Sequence, residues 1–283
     1  MNKSLIECYD TFLFDCDGVV WRGVEQVFGA SDLLNNLITL NKKVIFVTNN
    51  NSMTRKSFKE KIENVLGISV SYNQLYSSGI TTGLYVKQKL NKGEKIFLIG
   101  SKGFSEIMSE NEVEYIGYGP DMDGSYFTDF LDFEPEKNVK FVVGAFDSYM
   151  NYSKMAKAFI YINECGAEYI ATNLDLNCNI SKTRILPGTG SVLAGLSQSL
   201  GIQPMVVGKP SSKMFDMISA DHGLQDRSKI LMVGDNLNTD ILFGINSGID
   251  TALVLSGVTN RDMLGEENSI KPTFILESIA DIV

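Results

Sequence analysis

The run Thr11-Phe12-Leu13-Phe14, followed at once by Asp15-Cys16-Asp17-Gly18, limits the folds open to this chain more than any other stretch. Aspartate is a poor strand former and glycine a poorer one, so the pattern predicts a short buried strand that stops where the acids begin. In open parallel sheets ligands sit just beyond the carboxyl ends of the strands, which places Asp15 and Asp17 where chemistry is usually done. The motif alone says little, because a chain of 283 residues should hold roughly one Asp-x-Asp by chance. A second copy, Asp121-Met122-Asp123, has no apolar strand before it and is read as a solvated loop.

The same grammar recurs. Residues 44–47 form an apolar run ending in Thr48-Asn49-Asn50, 205–207 end in Gly208-Lys209-Pro210, and 230–233 end in Gly234-Asp235 with Asp240 just beyond. Helical spacing over 30–40, with Ser31 as N-cap, and over 55–66 and 81–90 separates the early strands. Strand alternating with helix is the parallel α/β pattern. From about residue 92 the texture changes. Strands at 95–100, 141–146 and 168–172, helices at 103–111 and 152–164, and a helix after Pro187-Gly188-Thr189-Gly190 make a unit of domain size. Residues 173–182 read as turns, and strands at 251–255 and 274–276 close the chain. The expected architecture is an α/β fold: a Rossmann-like doubly wound parallel-sheet core from 1–90 and 203–283, with an inserted α/β domain over 91–202.

Four strand ends thus deliver Asp15 and Asp17, Thr48 and Asn49, Lys209, and Asp235 with Asp240 to one sheet edge. Asp15, Asp17 and Asp235 carry too much negative charge to sit together without a cation, and an oxygen-only site with few carboxylates suits Mg²⁺. Thr48, nearby backbone amides and Lys209 are donors able to hold phosphate oxygens as charge shifts in the transition state. A carboxylate facing a phosphate can attack it and form an aspartyl phosphate. A second acid two residues on can protonate the leaving group and then activate water.

The ordered motifs Asp15-x-Asp17-Gly18-Val19, Thr48-Asn49-Asn50, Gly208-Lys209-Pro210 and Gly234-Asp235-x-x-x-Thr239-Asp240 resemble the haloacid dehalogenase superfamily. The continuation Gly18-Val19-Val20-Trp21-Arg22-Gly23, with Pro187-Gly188-Thr189-Gly190-Ser191 and Gly257-Val258-Thr259, is similar to its phosphoglycolate, pyridoxal and para-nitrophenyl phosphatase group over essentially the whole chain. The resemblance implies that the inserted domain is a cap closing over the substrate and mediating a homodimer. It implies Asp15 as nucleophile and Asp17 as general acid/base. Thr48, Asn49, Asn50 and Lys209 become substrate ligands; Asp15, the Asp17 backbone carbonyl and Asp235 become Mg²⁺ ligands, with Asp240 orienting behind them. The expected reaction is Mg²⁺-dependent hydrolysis of a small phosphorylated metabolite, 2-phosphoglycolate foremost, with pyridoxal phosphate or a broad sugar or para-nitrophenyl phosphatase activity as alternatives. A non-catalytic phospho-ligand sensor is the reading from another class, and retention of both Asp15 and Asp17 argues against it. The chain departs from the group at Asn236 and Asn238, where relatives often carry Arg and Asp. It also has Cys178 near the position of a cap histidine of pyridoxal phosphatases, which tilts away from that substrate.

A net charge of −9 disfavours a general nucleic-acid binder. No apolar run approaches a bilayer span and no secretory signal is visible, so a cytoplasmic, membrane-free protein is expected. Cys8, Cys16, Cys165 and Cys178 show no Cys-x-x-Cys spacing and read as reduced thiols, Cys16 as a packed inert one. His222, the single histidine, reads as a surface residue, Trp21 as packing beside the site, and Gly188-x-Gly190 as a capped helix rather than a dinucleotide fingerprint.

Overall fold

The computed structural model describes residues 4–124, 127–181, 184–265 and 268–282. The chain divides into two compact units: one of residues 1–48, 55–77 and 209–283, the other of 49–54 and 78–208. Sequence boundaries at 90 and 202 therefore move to 77 and 208. The first shift has a packing cause. The helix Ser78–Lys89 lies against the helix Lys102–Glu110, and a Cβ on Gly79 or Gly83 would stand 3.0–3.2 Å from the Ile107, Met108 and Asn111 side chains.

The first unit is built on a six-stranded parallel sheet. Its spatial order is Phe274–Leu276, Asp250–Val254, Ile230–Gly234, Thr11–Phe14, Lys43–Thr48, Leu75–Ser77. Thr11–Phe14 is central, and the chain runs outward from it in one direction early and in the other direction late. That makes the gap between Thr11–Phe14 and Ile230–Gly234 a topological switch point, the place where such sheets bind ligands. Registers Phe14↔Val233 and Phe14↔Phe46 bring the carboxyl ends of three strands level. Both faces are dry, as near-continuous apolar strands require. Leu13, Ile45, Val47, Ile230 and Met232 form one core with Met214, Phe215 and Ile218 of the helix Ser212–His222 and Phe243 of the helix Leu242–Ser247. Phe12 and Phe14 alternate to the opposite face, stacked 6.2 Å apart and fully buried.

The helix Ala30–Thr39 has Gly29 as its N-cap, at φ +79°, in place of Ser31. Ser31 lies inside the first turn and donates to the Leu66 carbonyl at the end of the helix Arg55–Leu66. Beyond Asp235 the chain makes a π-turn, Leu237–Ile241, that leads into the helix Leu242–Ser247.

The second unit has its own five-stranded parallel sheet, ordered Met205–Val206, Glu168–Ala171, Val139–Gly144, Lys95–Ile99, Tyr115–Ile116. Phe97, Ile99, Val142, Tyr161, Tyr169, Leu193 and Leu196 fill its core. Three features differ from the sequence reading. The strand ahead of Lys209, Met205–Val206, pairs with Glu168–Ala171 in this sheet, so Asp15, Thr48 and Asp235, but not Lys209, stand at strand ends of the first sheet. Asn177–Ser181 pairs antiparallel with Arg184–Pro187, although 173–182 reads as turns. Asp121 is not a solvated loop residue. Its carboxylate accepts from Ser153 Oγ at 2.8 Å and pairs with Lys157 Nζ at 2.9 Å, while Asp123 stays exposed. Beside it Lys154 is wholly buried, donating to Asp147 Oδ2 at 2.7 Å and to the Gly119 carbonyl at 2.6 Å.

Candidate active site

Asp15 is the first residue past the central strand, its amide still bonded to the Val233 carbonyl at 2.9 Å. Asp235 follows Ile230–Gly234 in the same way, so the adjacent strands bring the two carboxylates to one edge. Asp240 enters from the following π-turn, and its approach depends on Gly234, where a Cβ would lie 2.1 Å from the Asp240 Cβ. One carboxylate oxygen from each of Asp15, Asp235 and Asp240 lies within 4.8 Å of the others, and all three residues are buried. Lys209 threads between them at 2 % exposure. Its ammonium donates to Asp15 Oδ1 at 2.5 Å, to Asp240 Oδ1 at 2.7 Å and to the Val47 carbonyl at 2.9 Å.

Asp240 is fully committed to the protein. Besides Lys209 on Oδ1, its Oδ2 accepts from the amides of Asp235 and Asn236, both at 3.1 Å. It therefore fixes the lysine and the Asp235 turn, and Asp15 and Asp235 are the carboxylates placed to meet a ligand. Asp235 is clasped by the chain: Oδ2 accepts from the Val258 amide at 2.8 Å, and the Thr259 amide donates to its carbonyl at 3.0 Å. The clasp needs glycine on both sides, since a Cβ on Gly18 or Gly257 would stand 2.1 or 1.7 Å from Asp235 Oδ2.

The charge balance is one cation among three acids. An isolated ion pair lowers the acid's pKa, but here burial prevails. Together with repulsion from Asp240 and Asp17, and against the pull of Lys209, it pushes Asp15 up to about 7. Burial and the fields of Asp15 and Asp240 likewise hold Asp235 well above the usual carboxylate range. Burial alone would lower Lys209; the two carboxylates bonded to it outweigh that and raise it, so the lysine stays charged. A buried oxygen-only site with an excess of negative charge fits a divalent metal, and the residues placed to hold one are Asp15 and Asp235.

The Asp17 carboxyl is outside this cluster. Its side chain is 45 % exposed, and Oδ1 accepts from Trp21 Nε1 at 2.8 Å. Trp21 itself is buried, as its reading as a packing residue expects. Cys16 is wholly buried and its thiol pushed up by burial and by the flanking acids, which suits an inert packed residue. Thr48 ends Lys43–Thr48, buried, in register with Ser77 and one residue past the carbonyl that accepts from Lys209. Asn49 and Asn50 fall in the second unit. There Asn49 Nδ2 donates to both oxygens of Asp175, at 3.2 and 3.1 Å, and its carbonyl accepts from Asn173 Nδ2 and Ser78 Oγ.

A family model for haloacid dehalogenase-like hydrolases matches residues 12–114, and a HAD-hydrolase-like model matches 206–282. The chain belongs to the haloacid dehalogenase-like hydrolase family. Among its relatives, phosphoglycolate phosphatase 1A, chloroplastic, of Arabidopsis thaliana is 39 % identical over 99 % of this chain and 78 % of its own length. Glycerol-3-phosphate phosphatase of Homo sapiens is 33 % identical over 99 % and 92 %. The crystal structure of a 4-nitrophenylphosphatase from Thermotoga maritima superposes with a TM-score of 0.82 at 28 % identity, covering 99 % and 98 % of the two chains. Phosphatases of this family use an aspartyl intermediate and generally Mg²⁺. Among the described residues no helix is long and apolar enough to cross a membrane.

Proposed function

We propose that this phosphatase hydrolyses a small phosphorylated metabolite, 2-phosphoglycolate foremost, with Asp15 as nucleophile and Asp17 as general acid/base. The observation that carries the reading is the buried Lys209 bonded at once to Asp15 and Asp240, beside Asp235, at the switch point of the sheet. Lys209 aims its charge at the attacking carboxylate and at the place where phosphate oxygens gather, and Asp240 prevents it from swinging away. Thr48, at the neighbouring strand end, supplies a further donor; Asn49 and Asn50 complete the proposed phosphate ligands. Asp15, the Asp17 carbonyl and Asp235 would hold Mg²⁺, which when bound neutralises carboxylate and phosphate charge so that the acid can approach phosphorus.

In the first half-reaction an Asp15 oxygen bonds to phosphorus as the ester P–O bond breaks, and Asp17 gives its proton to the departing alkoxide. In the second, Asp17 takes a proton from water, whose oxygen bonds to phosphorus as the Asp15–phosphorus bond breaks. Free phosphate and the original carboxylate result. We place the enzyme in the cytoplasm, as a homodimer formed through residues 91–202.

Purified protein is assayed on para-nitrophenyl phosphate with Mg²⁺, then on 2-phosphoglycolate, glycerol 3-phosphate and pyridoxal phosphate, beside Asp15→Asn. Turnover that vanishes in Asp15→Asn, with the highest kcat/KM on 2-phosphoglycolate, is the expected result. Equal inertness of the two folded proteins would leave a phospho-ligand sensor as the better account.

A further inference from the structure

The general acid/base is held by a second element that the reaction scheme has not used. Asp17 and Trp21 belong to a tight loop: the Gly18 amide donates to the Trp21 carbonyl at 2.7 Å, and the Trp21 amide to the Cys16 carbonyl at 3.2 Å. This folds the indole back so that Nε1 meets Asp17 Oδ1 at 2.8 Å. The helix Arg55–Leu66 then closes on the indole with two side chains three residues apart, hence on one helical face. Phe58 meets its edge, ring centroids 6.4 Å apart at 87°. Lys61 lies over its face, Nζ 4.5 Å from the ring centroid, and the same ammonium is 3.7 Å from Asp17 Oδ1.

The indole hydrogen bond and the 3.7 Å ion pair with Lys61 thus meet at the same oxygen of Asp17. Among the described residues none bonds Oδ2, so the carboxyl is pinned through one oxygen and presents the other. Lys61 is a quarter exposed and Trp21 wholly buried, so the lysine spans from solvent to the acid with the indole as its support. A loose Asp17 would still be an acid, but it would spend much of its time turned away from the leaving oxygen or the water. Orientation of this kind is a recognised share of general acid–base catalysis.

We infer that Lys61, resting on Trp21, is a positioning residue that fixes the Asp17 carboxyl with Oδ2 turned to the reacting groups. The inference rests on the reading of Asp17 as general acid/base, and the experiment separates the two. Lys61→Met, which keeps an unbranched apolar stem over the indole, and Lys61→Gln as a second variant are followed on para-nitrophenyl phosphate. Rapid-quench measurement gives the nitrophenol burst, and steady state gives turnover. Nitrophenolate leaves without a proton, so the burst should hold within about 2-fold while steady-state kcat, limited by water activation, falls about 10-fold with KM little changed. Turnover of glycerol 3-phosphate, whose alkoxide needs the proton, should fall at least as far, and Lys61→Arg should recover most of both. Undiminished turnover in both substitutions, or a burst that falls in step with turnover, overturns the inference. Asp17→Asn run alongside should lose turnover outright; if it retains full activity, the acid/base reading itself falls, and this inference with it.

Discussion

Replacing Lys209 by methionine isolates the electrostatics of the cluster, because the new side chain has similar length and no charge. Three bonds disappear together: those to Asp15, to Asp240 and to the Val47 carbonyl. Three buried carboxylates then face one another with their shared cation gone. Removing one partner of a buried ion pair destabilises by about 3–5 kcal/mol, and nothing in the geometry argues for the low end. With a urea m-value near ~3 kcal/mol/M, the midpoint should move down by about 1–2 M. The sequence has a single tryptophan, and Trp21 is buried in the first unit, so its fluorescence reports that unit's unfolding alone. The effect should depend on pH in a fixed direction. Burial, against the pull of Lys209, pushes the Asp15 carboxyl up to about 7 in the folded protein. Below that pH it takes up a proton and no longer needs the lysine, so the loss should be largest at pH 8 and shrink by pH 5.5. Added Mg²⁺ should recover more stability in the variant than in the wild type. A loss under about 1 kcal/mol at pH 8, or one that grows as the pH falls, would refute the reasoning.

Other outcomes follow from the same geometry. The carboxyl groups of Asp15 and Asp235 are raised in the folded state. Their contribution to stability is therefore present below the unfolded carboxylate pKa and lost as pH climbs through the folded values. The Tm of chelator-treated protein should suffer from this between about pH 4 and 7, and the increment given by Mg²⁺ should grow from pH 5 to 8; an increment flat across that range would contradict it. Gly257→Ala puts a Cβ where Asp235 Oδ2 now lies, 1.7 Å away, so kcat should fall about 100-fold and more Mg²⁺ should be needed for half-maximal rate. In the second unit, Lys154→Met leaves the buried Asp147 without its partner and should cost about 3–5 kcal/mol, read by calorimetry as a lowered transition.

The strand ends were legible because a run such as 11–14 or 230–233 cannot continue through Asp15 or Gly234 without losing its apolar packing. The positions of Asp15 and Asp235 were therefore readable where hydrophobicity breaks off abruptly, but the same signal misplaced 205–207, whose strand Met205–Val206 pairs with Glu168–Ala171 in the second unit's sheet. Asp240 was readable as an orienter by resemblance, but its double role, lysine on one oxygen and two amides on the other, exists only in three dimensions. Lys61 was invisible for a plainer reason. Its helix also carries Lys56 and Lys59, and nothing in the local sequence says which lysine meets an indole 40 residues earlier. The pairing of Asn177–Ser181 with Arg184–Pro187 was missed because these segments lack the alternation that marks a half-buried ribbon; the adjacent Ile185 and Leu186 are both exposed. The boundary after residue 77 was likewise hidden, since Ser78–Lys89 has an ordinary helix pattern and only its packing against Lys102–Glu110 assigns it. Gly29 rather than Ser31 caps its helix because a glycine at positive φ can turn the chain there without a side chain.

The central strand of the first unit is the earliest one made, yet its neighbour Ile230–Gly234 is among the last, and Lys209 reaches Asp15 across 194 residues of sequence. A chain leaving the ribosome therefore carries Asp15 long before it has the lysine that bonds to it or the carboxylate of Asp235 beside it. A fragment that ends before residue 209 has neither the cation bonded to Asp15 nor the carboxylates of Asp235 and Asp240 beside it.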